Sequence, residues 1–237
     1  MARPKPGRCV HCLREAAERN WDHVFPESWY PDTTPPNLSK WKIPSCIPCN
    51  SSLGEVEEEF MVLVALCLDP NAPASRSIVE KALRAINPSA ATNLTDQRAR
   101  TSLARRVLSQ LLKGSQIPSA AIYPALGERW GQPLENRIAV RIPAESFRRI
   151  TEKIVRGIFF LEDGKFIEPP YKINFFALDD AGAQPARELL AQAGVTYARE
   201  PGIVVNRAVT PEDGVSSVFE IEFWGQFKTH ASVTNDP

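Results

Sequence analysis

Apolar and polar positions alternate in register along much of the chain, and their period changes from one stretch to the next. Residues 60–68 form the longest apolar run. It follows the acidic stretch 55–59, so one helix is expected from about Ser51 or Ser52, whose hydroxyls suit an N-cap, with acid in its first turns. That helix is apolar nearly all round and so buried, and it stops before Pro70. Residues 78–86 place Val79, Leu83 and Ile86 on one helical face. Residues 95–113 present Leu103, Val107, Leu108, Leu111 and Leu112 on one face and arginines on the other, with Gly114 as the terminating residue. Residues 137–142 alternate like a strand, and Pro143 opens a further helix to about Phe160. Residues 165–178 are strand-like but broken by Pro169 and Pro170. A short helix over 185–194 and strands over 203–209 and 218–227 complete the pattern, and the tail from Thr229 is polar and expected to fray. The elements predict an α+β protein in three parts: 1–68, a helical and linker region over 69–135, and a C-terminal α+β domain over 136–237.

Composition adds little to this outline. The 237 residues suffice for one or two domains, and the formal net charge is zero, so any nucleic-acid contact must come from local basic patches. The basic N-terminus has no apolar core of a signal peptide, and residues 60–68 are far short of the ~20 needed to span a bilayer. A soluble cytoplasmic protein is expected.

The cysteines change the picture more. Four of the five fall in two pairs, Cys9-x-x-Cys12 and Cys46-x-x-Cys49, with Cys67 alone in the apolar run. This usage suits a reducing compartment and a metal better than a disulfide framework. Four thiolates in two tight turns close a tetrahedral Zn²⁺ shell with no open position, which makes a structural site. His11, inside the first pair, competes as a ligand. The stretch between the pairs carries Asp22-His23, the prolines of 26–36, Asn37-Leu38, Lys40 and Lys42, and Asn50 directly follows the last cysteine. Residues 13–20 suit a turn or two of helix, and 21–25 a short strand carrying Asp22 and His23.

The order CxxC, Asp-His, Asn-Leu, CxxC-Asn over residues 8–60 resembles the HNH (ββα-metal, treble-clef) endonucleases, in the Asn-terminated, zinc-clamped branch of the phage endonuclease VII type. The resemblance implies a second strand over 41–43, a zinc-stabilised ββα module, and metal-dependent hydrolysis of DNA phosphodiester bonds. It implies His23 as general base, Asp22 and Asn50 as ligands of one Mg²⁺ or Mn²⁺, and Asn37 as the residue that orients the loop and His23. The chain departs from HNH proteins that continue with further histidines, since Cys49 is followed by Asn50-Ser51-Ser52-Leu53-Gly54. A histidine with an ordinary pKa of ~6.5 suits a general base at neutral pH. A divalent ion with few protein ligands leaves room for water and phosphate oxygens. Adjacent strand residues point to opposite faces, so Asp22 and His23 approach a phosphate from different sides. Lys40 and Lys42 are candidate phosphate contacts, as are Arg105, Arg106, Arg148 and Arg149 on the two basic helices, whose other reading is a solvated face. Duplex or branched DNA is the expected partner, with the C-terminal domain a possible dimer or partner surface. Each element has a plainer reading too. Asn50 also suits a helix cap and Asn37 a turn, and two CxxC pairs also suit a non-catalytic zinc module that recognises nucleic acid or protein.

Overall fold

A computed structural model describes residues 2–118, 134–136, 138–176, 182–199 and 202–235. The chain opens with two short antiparallel strands, β1 (Gly7–Arg8) and β2 (Glu15–Ala16), joined by the turn that carries Cys9 and Cys12. The helical turn expected over 13–20 is absent. Leu13 has φ 64°, its N–H donates to the Cys9 carbonyl, and Cys9 N–H donates to Arg14 O at 2.9 Å, so the backbone closes a knuckle rather than a helix. Strand β3 (Arg19–His23) pairs antiparallel with β4 (Lys42–Cys46), Arg19 opposite Cys46 and His23 opposite Lys42. The proline-rich connection contains a 3₁₀ turn at Glu27–Trp29. Helix α1 (Ile47–Ala65) leaves β4 directly, with Cys46 as N-cap and Pro48 in the first turn. Proline tolerates that position because its missing N–H has no intrahelical partner to lose. The helix thus begins a turn before Ser51 and Ser52, which lie inside it rather than capping it.

Helix α2 (Ile78–Ala85) follows the 69–76 stretch, which folds as turns that bury Ser75. Helix α3 (Leu94–Leu108) is capped by Asn93, whose side chain accepts from Asp96 N–H. It ends earlier than the apolar spacing suggests, because Leu111–Lys113 forms strand β5 against β6 (Ile138–Val140), and Gly114 opens a 3₁₀ turn instead of ending the helix. Of the irregular segment expected over 115–135, residues 119–133 lie outside the described residues. Helix α4 (Ala144–Asp163) buries Phe147, Ile150, Ile154 and Ile158 along one stripe and ends at Gly164, φ 64°.

The remaining elements are β7 (Tyr171–Phe176), α5 (Gln184–Ala193), β8 (Val195–Arg199), β9 (Ile203–Val209), β10 (Ser217–Phe223) and β11 (Phe227–Asn235). They build a five-stranded antiparallel sheet in the order β7-β11-β10-β9-β8. The tail expected to fray is therefore β11, paired on both sides. Phe227, Thr229, Ala231 and Val233 alternate into the core, a period of two obscured in the sequence by the polar residues among them. One face of the sheet packs on α4 and Trp29, through Phe159 against Phe219 and Trp29 against Phe223. The other lies beneath α5, where Arg187 reaches Glu220.

The mixed α+β architecture expected from the sequence is observed. A single apolar core crosses from the N-terminal hairpin and helix into the sheet. Phe60 of α1 packs on Phe147 of α4 and Phe223 of β10, at ring separations of 5.2 and 5.3 Å. Trp224 packs on Trp29 at 5.7 Å, and its indole N–H donates to the Trp29 carbonyl. Helix α4 lies tight against the residue that follows β3 at Gly157, where an added Cβ would lie 2.7 Å from Val24 Cγ2.

Candidate functional site

The β3–β4 ladder carries one cluster at each end. At the Arg19–Cys46 end, the Sγ atoms of Cys9, Cys12, Cys46 and Cys49 all lie within 4.8 Å of one another. Cys12 and Cys46 sulfurs are 3.8 Å apart, the edge of a tetrahedron with zinc–sulfur bonds of about 2.3 Å. The donor set therefore fits structural zinc, with the two pairs supplied by the β1–β2 turn and the β4–α1 junction. Backbone amides reinforce it: Cys46 N–H points at Cys9 Sγ, 3.3 Å away. Burial pushes the Cys9 thiol up, but N–H groups of Cys12, Cys46 and His11 outweigh it and bring it to about 6. Burial and the neighbouring sulfurs push Cys49 up, and burial does the same to Cys46. Sulfurs this close ionise together only around a cation, which is how such a metal couples to folding.

At the other end lies Asp22, which alternation along β3 turns inward while His23 turns to the half-open face. The Asp22 carboxylate is 4 % exposed and fully engaged. Its Oδ2 is 2.7 Å from His11 Nε2, and its Oδ1 accepts from Lys153 Nζ at 2.8 Å. Lys153 also donates to Glu57 of α1. Burial pushes Asp22 up, yet the His11 hydrogen bond and the Lys153 charge hold it below the usual carboxylate range, while burial keeps Glu57 above it. Lys153 belongs to the buried face of α4, and the cause is local. Gly157 lets the helix touch Val24; Lys153 lies four residues before Gly157 and Asp22 two before Val24, so each pair shares a face and the ammonium lands on the carboxylate. His11 is also placed: its ring nitrogen is committed to Asp22, leaving the sulfur cluster to the four cysteines.

His23 Nε2 is shielded and has no hydrogen-bond partner among the described residues; Glu27 Oε1 lies 3.4 Å away without hydrogen-bond geometry. Burial pushes the His23 pKa down. Lys40 pairs with Glu27 at 3.1 Å and lies over the Tyr30 ring. Lys42 is half-buried across the ladder from His23. Asn37 is exposed in a turn closed by Leu38 N–H on Pro35 O, and among the described residues no hydrogen bond joins it to His23. Asn50 is half-buried in the first turn of α1, where Cys46 and not Asn50 holds the cap position. With both Asp22 oxygens taken, the Asp22–Asn50 pair does not offer a divalent ion a seat in this arrangement.

The basic residues separate clearly. Arg106 pairs with Glu59 at 2.7 Å, Arg148 lies between Glu145 and Glu152 at 2.5 Å each, and Arg149 donates to Ser52 Oγ at 2.7 Å. Of these four arginines, only Arg105 is exposed without an ion pair or side-chain hydrogen bond among the described residues; it lines a shallow groove with Arg98 and Ser102. Sequence reasoning missed the roles of His11, Lys153 and Glu57. His11 carried a signal in its place inside the first cysteine pair, whereas nothing along the chain joins Lys153 to Asp22. No protein-family model, no curated protein and no solved structure matches the chain.

Proposed function

We propose that the chain is an HNH-type endonuclease that hydrolyses DNA phosphodiester bonds on a zinc-clamped β-hairpin and helix, with His23 as general base. The observation that carries this reading is an imidazole whose Nε2 has no hydrogen-bond partner among the described residues, on a strand whose far end is tied to a four-sulfur cluster. The order β3, β4, α1, with the second cysteine pair at the strand–helix junction, supports it. In this reading, neutral His23 takes a proton from the attacking water, and Lys42 offers positive charge to the phosphate as negative charge develops on it. Glu27, 3.4 Å from His23 Nε2, places negative charge beside the imidazole as it takes up the proton. When bound, a divalent ion would polarise the phosphate and stabilise the leaving oxygen, whereas Asp22 is engaged by Lys153 and His11.

That engagement favours a second reading, a non-catalytic zinc module that recognises nucleic acid or a partner protein. Supercoiled and branched DNA incubated with zinc-loaded protein and millimolar Mg²⁺ or Mn²⁺ separates the two. The nuclease reading expects cleavage that falls by ~10²–10⁴-fold in His23→Ala with the fold and zinc intact. Absence of cleavage by the wild type, or equal cleavage by a folded His23→Ala, removes it.

A further inference from the structure

Lys153 is among the largest fully buried side chains of the molecule, in company otherwise dominated by aromatic and aliphatic residues. An ammonium is costly to take out of water, and it remains charged in an interior only where anions surround it. Here it has two: Asp22 Oδ1 at 2.8 Å and a Glu57 oxygen in direct contact. Two carboxylates converging from a strand and a helix onto one point form the kind of oxygen pair that takes Mg²⁺ or Mn²⁺, and the point is filled from outside the hairpin and helix, by α4. The contact depends on the close approach of Gly157 to Val24.

We propose that Lys153 is a built-in cation that occupies a divalent-cation seat formed by Asp22 and Glu57, so that Mg²⁺ or Mn²⁺ enters only when α4 withdraws the ammonium. The proposal deepens the nuclease reading and rests on it for the purpose of the metal, but not for the competition itself. Ammonium and metal exclude one another because both require the same Asp22 oxygen, while His11 retains the other. Apparent affinity for the metal is then reduced by the fraction of molecules in which the seat is open. A purely structural ion pair makes a different statement: removing the lysine weakens the fold and creates no metal site.

The test is Mn²⁺ binding to the zinc-loaded full chain, followed by the electron paramagnetic resonance signal of free Mn²⁺ and by titration calorimetry. Wild type is expected to bind weakly, and Lys153→Met to bind one Mn²⁺ at least about tenfold more tightly, as expected if the seat is open in no more than a tenth of wild-type molecules. Adding Asp22→Asn is expected to abolish the gain. If Lys153→Met does not fold, Lys153→Gln, which removes the ammonium but keeps a polar group between the two acids, takes its place and is expected to show the same direction. Tight Asp22-dependent Mn²⁺ binding by wild type overturns the proposal without any variant. So does unchanged weak binding by whichever of the two lysine variants folds. DNA cleavage is scored separately. A variant that gains Mn²⁺ but cuts nothing retires the nuclease reading and leaves the cation seat standing, whereas cleavage with no change in Mn²⁺ binding does the reverse.

Discussion

The two ends of the β3–β4 ladder are both held by buried polar groups, yet they are completed in opposite ways. The sulfur cluster draws every member from residues 9–49, on the β1–β2 turn and the β4–α1 junction. The Asp22 cluster begins with His11 nearby but is closed by Lys153, 131 positions further on. A site built from its own hairpin needs a metal to hold together and little else. A site closed by a distant helix is only as stable as the packing of that helix, and it is correspondingly easier to open. The molecule thus places a rigid end and a conditional end on one short ladder, with His23 at the conditional one.

The contrast is broken most severely at the rigid end. Cys46→Ser removes one sulfur, and structural zinc contributes on the order of 10 kcal/mol to folding in small modules. The variant is expected to lose zinc, measured by elemental analysis, and to lose the cooperative melt of the hairpin and α1. A well-folded wild type with no zinc contradicts the clamp.

Next in size is the conditional end. Gly157→Ala puts a methyl into Val24, and overpacking of this kind costs ~1–3 kcal/mol. Because α4 must shift away from the strand, Lys153 is drawn off Asp22, and the loss should appear in chemical denaturation while zinc stoichiometry stays at one. Loss of zinc in this variant would show that the two ends are not independent.

A third buried carboxylate sharpens the comparison. Glu220, on the sheet face beneath α5, is bonded by His230 at 3.2 Å and reached by Arg187 and Lys228. The His230 hydrogen bond is the main cause that lowers its carboxyl to about 2. A carboxyl with a lowered folded-state pKa stabilises the fold above the ordinary carboxylate range and loses that contribution as pH falls towards about 2. Melting curves of wild type and Glu220→Gln should therefore differ at pH 7 and converge towards pH 2. A gap that stays constant would mean that the carboxylate charge contributes nothing.

The smallest effect concerns DNA. Arg105→Ala should lower the slope of log affinity against log salt by ~1, as for one lost phosphate contact, and Arg148→Ala should leave it nearly unchanged because Glu145 and Glu152 already neutralise that guanidinium. Equal changes in the two variants would break the distinction between free and paired arginines.

Much of the fold is legible along the chain where the signal is local. The helices at 78–86 and from Pro143, and the strand at 203–209, follow from spacing and punctuation. The exceptions have identifiable causes. Leu111 and Leu112 suit the helical stripe, but pairing with β6 takes them into a strand. Thr229 and His230 look like a polar tail, but β11 buries them between β7 and β10. Ser51 and Ser52 look like caps, but Pro48 allows the helix to start sooner. In each case a partner distant in sequence outweighs the local preference, because strand pairing and burial reward residues that short-range patterns do not connect.

The sequence by itself determined the two sulfur pairs, since each CxxC spacing fixes two sulfurs on one turn and four thiolates suffice for a tetrahedral shell. It also determined that Asp22 and His23 face opposite ways, since a strand has a period of two. Only the tertiary structure decided what Asp22 meets. That depended on a glycine in α4 thin enough to let the helix lie on Val24, and on the four-residue helical repeat that then sets Lys153 over the carboxylate. The charge that settles the state of the site comes from a helix whose approach no spacing within residues 9–50 encodes.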